Sequence, residues 1–198
     1  MQKRYEEIIF YMRKNNGFIR TNEVLKKKIN NKYLSELLAQ NVITRPKRGL
    51  YMLKKYNFSS SLVEVSKIVP NGIICLQSAL SYYNISTVEP NSYILAVRQG
   101  VKIKLPEYPP IELHYYSKVQ FETGVKDIVI DGHKVKIYDM EKTICDVVRY
   151  RNKIGIDVMR QALNEYLARK DKKISVLYSY AELLRVKNVL KKYMEVLV

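Results

Sequence analysis

Asn31-Lys32-Tyr33-Leu34-Ser35-Glu36-Leu37-Leu38-Ala39-Gln40-Asn41-Val42-Ile43-Thr44-Arg45-Pro46-Lys47-Arg48-Gly49-Leu50-Tyr51-Met52-Leu53 is the stretch that decides the fold. Leu34, Leu37 and Leu38 recur at three- and four-residue steps, the buried stripe of a short helix capped by Asn30 or Asn31. The opposite face carries Lys32, Ser35, Glu36 and Ala39. After Gln40-Asn41 come two short β-type runs, 42–45 and 50–53, joined by the turn Pro46-Lys47-Arg48-Gly49. That order reads as a hairpin with basic residues at its tip.

Upstream, Tyr5, Ile8, Ile9 and Met12 form the apolar stripe of a first helix, which Asn15-Asn16-Gly17 ends. Phe18-Ile19-Arg20 reads as a short extended piece, and Thr21 is expected to cap a second helix running to about Lys28. Three helices followed by a hairpin is the order of a winged helix-turn-helix. In such a module the third helix enters the major groove with its N-terminal residues leading, here Asn31 and Lys32, with Ser35 and Glu36 one turn later. Lys26, Lys27 and Lys28 precede it, where phosphates would lie. Arg45, Lys47 and Arg48 ride on the wing, which follows the backbone or reaches into the minor groove. The plainer reading of each basic group is a solvated face or turn.

Charge favours the first reading. The 198 residues carry a net +16, and residues 1–60 hold fourteen Lys or Arg against four acids, a net +10. The other 138 residues hold twenty-one against fifteen, a net +6. A basic excess gathered at one end suits a part that meets phosphate, although an AT-rich genome also inflates Lys. Hydrophobic residues make up 47% of the chain, enough to bury a core. No run of eighteen apolar residues is present, so no membrane contact is expected. The start, Met1-Gln2-Lys3-Arg4-Tyr5-Glu6-Glu7, lacks the apolar run of a signal peptide. The two cysteines, Cys75 and Cys145, have no CxxC partner and suit a reducing cytoplasm.

The polar connector Asn57-Phe58-Ser59-Ser60-Ser61 places a domain boundary near Ser60, giving a winged helix-turn-helix over 1–60 and a second domain over 61–198. After Pro70-Asn71-Gly72, a helix is expected from Gln77 to Tyr83. Strand-like runs follow at Ser92–Arg98, Ile111–Tyr116, Val125–Ile130 and Lys134–Tyr138, with an Asp131-Gly132 hairpin turn. Helical patterns then cover about 139–151, 155–169, 175–185 and 187–197. The whole is α+β, a small sheet followed by a C-terminal helical bundle.

Chemistry is sparse. His114 and His133 are isolated and read as hydrogen-bonded structural residues, with no spacing that supports a metal and no cofactor loop. Asp139, Glu141 and Asp146 form a local acidic group, with Asp139 placed as an N-cap and Asp146 about two turns on. A paired-carboxylate site is the alternative reading of that group.

Together these residues resemble the AbiEi-type antitoxins, transcriptional regulators of AbiE bacterial toxin–antitoxin systems. The resemblance rests on Ile43-Thr44-Arg45 and Arg48-Gly49-Leu50-Tyr51, then on Gln77-Ser78-Ala79-Leu80-Ser81-Tyr82-Tyr83. It continues through Gly132, Val135-Lys136-Ile137-Tyr138-Asp139 and Glu141-Lys142-Thr143-Ile144-Cys145-Asp146. It implies a winged helix that binds inverted repeats in its own promoter, with dimerisation on double-stranded DNA matching the repeat. It also implies a C-terminal domain that counters a nucleotidyltransferase-like toxin, as in type IV systems, without a stable complex. It supplies no catalytic residue and no cofactor. The basic residues Arg149, Arg151, Lys153 and Arg160 are the candidates for antitoxicity, with a solvated helical surface as the competing reading. Two other functions stay open at this point: a ligand-responsive repressor, and a nucleic-acid-processing enzyme targeted by a DNA-binding module.

Overall fold

The computed structural model describes residues 2–54 and 61–197. The connector residues 57–60 and the expected boundary at Ser60 lie outside the described residues.

The chain opens with α1 (Gln2–Lys14), β1 (Phe18–Arg20), α2 (Thr21–Lys26), α3 (Lys32–Ala39) and the hairpin β2 (Ile43–Lys47) and β3 (Leu50–Leu53). The three strands pair in the order β1-β3-β2, all antiparallel. This is the three-helix and wing arrangement read from the sequence. One detail differs. β2 runs on to Lys47, so Pro46 lies inside the strand at a register irregularity and only Arg48-Gly49 turns. Proline has no N–H to give a ladder, and an irregular edge strand is where it is tolerated. Gly49 takes φ +79°, which a two-residue turn needs and a side chain resists.

The second unit starts with α4 (Ser61–Ile68), then β4 (Ile73–Ile74), α5 (Leu76–Tyr82), β5 (Tyr93–Arg98), β6 (Ile111–Tyr116), α6 (Lys118–Glu122), β7 (Val125–Ile130) and β8 (His133–Tyr138). It ends with α7 (Met140–Ile154), α8 (Ile156–Ala168), α9 (Ile174–Leu183) and α10 (Lys187–Leu197). The five strands form one mixed sheet in the order β6-β5-β4-β8-β7. Its strand pairs β5–β6 and β4–β8 are parallel and β4–β5 and β7–β8 antiparallel. The four C-terminal helices fall where the helical periodicity put them. α4, β4 and α6 were not anticipated.

Side chains alternate across the five-stranded sheet as strand geometry requires. Ile73, Ile94, Ala96, Tyr116 and Tyr138 point into a core with α5 and α7 to α10. Leu95, Val97, Val135 and Ile137 point to the other face, against Leu62, Val65 and Ile68 of α4. Phe18 and Leu50 of the winged helix belong to that same cluster, and Met52 packs on it. The small sheet is thus buried on both faces: Ile19, Ile43, Tyr51 and Leu53 face the helix-turn-helix core.

Polar contacts rim this joint. Arg20 Nη2 donates to the Lys67 carbonyl at 2.9 Å and Lys47 Nζ to the Ile68 carbonyl at 3.3 Å. Both cations therefore meet the C-terminal end of α4, where carbonyls lack helical partners and the dipole is negative. On another side the β7–β8 turn meets the α1–β1 turn: Asn16 Nδ2 donates to the Asp131 carbonyl at 3.4 Å, and His133 Nε2 lies 3.2 Å from the Asn16 carbonyl. A Cβ on Gly132 would come within 3.0 Å of Asn16 Nδ2.

Two expectations follow. Phe18→Ala removes a ring that both units share, and is expected to cost about 3–5 kcal/mol in urea denaturation, with the winged helix melting ahead of the C-terminal unit. A single transition at the wild-type midpoint would show that the joint contributes nothing. The second concerns pH. Burial first, then the nearby Lys67, hold His133 below the ordinary imidazole range. The unfolded chain therefore takes up this proton at higher pH than the fold does, and stability falls as pH drops through about 6.5. Thermal midpoints between pH 8 and 5 should show that fall, and His133→Asn should flatten it.

Candidate nucleic-acid interface

α2 begins one residue earlier in its capping than the sequence suggests. Thr21 is the first helical residue, and the cap position falls on Arg20, still extended at φ −100° and ψ 151°. The Arg20 N–H donates to the Glu23 carboxylate at 2.6 Å. The Thr21 N–H instead donates to the Gly49 carbonyl at 3.0 Å, which extends the β1–β3 ladder to the wing turn and holds it against the start of α2.

α2 ends in a tight turn in which Lys28 takes φ 56° and Ile29 is buried. The Asn30 side chain then accepts the Lys32 N–H at 2.9 Å, and Asn31 occupies the cap position of α3. Leu34 and Leu37 anchor α3 in the core, and Leu38 is half-buried. Asn31, Lys32, Ser35 and Ala39 remain exposed on its outer side. Glu36 turns away from that row to accept the Tyr5 hydroxyl of α1. The recognition-helix positions thus present an amide, an ammonium and a hydroxyl to solvent. These are groups that donate to or accept from base edges and phosphates.

The other expected contacts divide. Lys26 and Lys28 are exposed. Lys27 is exposed too, but its ammonium sits 3.6 Å from the centre of the Tyr11 ring, a cation–π contact that draws it to α1. Arg45 is exposed with its guanidinium 5.7 Å from the Tyr51 ring centre, and Arg48 is exposed at the wing turn. Lys47 is half-buried in the joint with α4. Sequence spacing gave no sign of that destination, because the helix it meets was read as connector. Arg20 was missed for the same reason.

In the second unit, Arg149 is half-buried, its guanidinium donating to the Leu184 carbonyl at the end of α9. Arg151 donates to the Val148 carbonyl of its own helix at 2.9 Å. Lys153 and Arg160 are exposed. Arg149 and Lys153 line two different clefts, the first with Ser117 and Arg185, the second with Glu112 and His114.

The acidic group of the α7 start resolves into three separate structural contacts. Asp139 caps α7, accepting the Lys142 N–H at 2.8 Å and the Tyr180 hydroxyl at 3.2 Å. Glu141 accepts the Tyr166 hydroxyl at 3.0 Å and the Lys173 N–H at 3.1 Å. Asp146 is fully buried, paired with Lys142 Nζ at 2.5 Å and accepting the Tyr116 hydroxyl at 3.1 Å. Lys142 Nζ also lies 4.8 and 4.2 Å from the ring centres of Tyr116 and Tyr138. Burial pushes the Asp146 carboxyl up, and Lys142 pulls it back. The carboxylates serve different elements and do not converge on a common space. His114 pairs with Glu112 at 2.8 Å and meets the edge of Tyr150. Burial pushes the Cys145 thiol up to about 12 and Cys75 up as well, so neither is a ready nucleophile.

Lys142→Met leaves the Asp146 carboxylate buried without its cation and is expected to cost about 3–5 kcal/mol in urea unfolding. Lys142→Met with Asp146→Leu should recover most of that loss. A double variant no better than the single would assign the cost to packing of the Lys142 stem instead.

No curated protein matches the chain. Residues 6–54 match a family model described as "Transcriptional regulator, AbiEi antitoxin", a span running from α1 through the wing. Among the described residues, no helix is long and apolar enough to cross a membrane. The module that carries Asn31, Lys32, Ser35, Arg45 and Arg48 is therefore similar, over residues 6–54, to the AbiEi antitoxin family of transcriptional regulators.

Proposed function

We propose that the chain is the antitoxin and autorepressor of a type IV toxin–antitoxin system. Its winged helix, residues 1–60, binds inverted repeats in the promoter of its own operon. Two copies sit on each repeat, since a symmetric site calls for a symmetric pair. The observation that carries this reading is the free outer side of α3. Asn31, Lys32 and Ser35 stay exposed while the opposite side of the module, the β1–β3 sheet, is covered by the second unit. Lys26, Lys28, Arg45 and Arg48 supply exposed cations on the α2–α3 connection and the wing. Lys27 and Lys47 contribute less, because Lys27 sits closely on the Tyr11 ring, at 3.6 Å against 5.7 Å for Arg45 and Tyr51, and Lys47 donates to the Ile68 carbonyl.

The second domain, residues 61–198, counters a nucleotidyltransferase-like toxin without a lasting complex. Lys153 and Arg160 are its exposed cations among the candidates, Lys153 with its ammonium 5.8 Å from the Tyr150 ring centre, while Arg149 and Arg151 are held by carbonyls. We assign it no catalytic role.

Binding to the DNA upstream of the gene, set against scrambled duplex over a salt series, tests the repressor half. If each module neutralises about five phosphates, log affinity falls against log salt with a slope of about −4 to −5 per module. Arg48→Ala is expected to weaken binding by about 1–3 kcal/mol if the wing enters a groove. Lys47→Ala is expected to do much less to DNA and more to stability. Equal, salt-fragile binding to both duplexes would remove sequence-specific repression. For the second half, Lys153→Glu with Arg160→Glu should lower rescue of cells from the neighbouring toxin while repression is kept. Undiminished rescue would remove these two cations from the antitoxic surface.

A further inference from the structure

A cleft of about 330 Å³ lies where the winged helix meets the second unit, lined by Lys14, Asn16, Arg20, Glu23, Lys67 and His133 among others. Its charge is unbalanced. Lys14, Arg20 and Lys67 bring three cations against one acid, Glu23, whose carboxylate accepts the Arg20 N–H. Lys67 is half-buried, and among the described residues no carboxylate comes within 4.0 Å of its ammonium. Burial, and then the neighbouring Arg20 charge, loosen its hold on the proton. Like charges gathered out of bulk water favour an anion between them.

The donors also suit one shape of anion. The Lys67 ammonium, the Arg20 guanidinium and the Asn16 amide border one space and belong to both units, with the neutral His133 ring forming part of its wall. A tetrahedral oxyanion accepts from several such directions at once, whereas a carboxylate offers one plane. The volume lies in the range of small-molecule sites rather than of a single bound water.

We propose that this cleft binds the phosphate group of a small free anion, bridging the DNA-binding module and the second unit. The occupant neutralises Arg20 and Lys67 and tightens the joint that sets how the two units sit together. The proposal stands apart from the DNA reading, because it concerns binding to the chain without DNA.

Inorganic phosphate titrated into the full chain at pH 8, with ionic strength held constant by NaCl, is the test. Calorimetry should find one saturable site per chain, and the thermal midpoint should rise with occupancy. Lys67→Gln should weaken binding about tenfold or more, the worth of one charge-assisted hydrogen bond, and Lys67→Arg should retain it. Lys14→Gln, at an exposed position that leaves the fold intact, should weaken it several-fold, and Lys153→Gln, in a different cleft, should not change it. A response that never saturates, or one equal in the wild type, Lys67→Gln and Lys14→Gln, would overturn the proposal. Phosphate that still binds with duplex DNA at saturation supports a small free ligand. Phosphate displaced by duplex would give the site to the DNA backbone and overturn it too. Failure of specific DNA binding leaves the calorimetric, thermal and variant outcomes readable, since none of them uses DNA.

Discussion

Burial of one three-stranded sheet on both of its faces organises the molecule. Phe18 pairs with Met52 and Arg20 with Leu50, and paired residues share a face. That face meets α4 and the large sheet, while Ile19 and Tyr51 meet the helix-turn-helix core. A strand only three residues long contributes little ladder by itself. Phe18 and Ile19, adjacent in sequence, nevertheless anchor two different cores because successive side chains point oppositely. The winged helix is consequently fixed to the second unit by packing as well as by the chain. With the sheet side occupied, the outer side of α3 is what the module offers to a partner.

The joint has the build of a small interface, an apolar centre with a polar rim. Its polar part draws on the end of α4. A helix C-terminus presents carbonyls without partners, and Arg20 and Lys47 both donate to them. A wing lysine that would otherwise serve phosphate is spent inside the fold. Arg48, one residue on, is left exposed. Part of the basic charge of the first sixty residues is therefore structural, and net charge does not show which part.

Legibility in the sequence follows the range of the forces involved. α7 to α10 and β5 to β8 were legible because their apolar periods, the Asp131-Gly132 turn and the Asp139 cap are local signals. So was the order of the winged helix. α4 was not: the serines before it suggested a connector, and Leu62, Val63, Val65 and Ile68 are buried on two sides of a helix of eight residues, too short for a clear stripe. α6 has five residues and stands on the Ser117 capping box, without a buried side chain of its own. At the candidate site, the exposure of Asn31, Lys32, Ser35, Arg45 and Arg48 was readable from spacing. The engagement of Lys27, Lys47 and Glu36 was not, since each partner lies 16 to 31 residues away. The cleft beside Lys67 depends on Asn16 and His133 meeting across 117 residues, and no local pattern announces it.

The start of α7 shows why an acidic motif is weak grounds for chemistry. Asp139, Glu141 and Asp146 are close in sequence, yet successive positions on a helix face different ways. Asp139 spends itself on the cap and on α9, Glu141 on the loop before α9, and Asp146 on Lys142 beneath the sheet. Tyr116 and Tyr138 close around that last pair, stacked with centres 6.0 Å apart. A buried ion pair of this kind gains little net stability over apolar residues of the same shape. What it does is allow one docking of α7: sliding the helix would leave a charge without its partner. The motif therefore fixes the register between the helical layer and the sheet, and any activity of the second unit lies on its surfaces and clefts rather than in this acidic group.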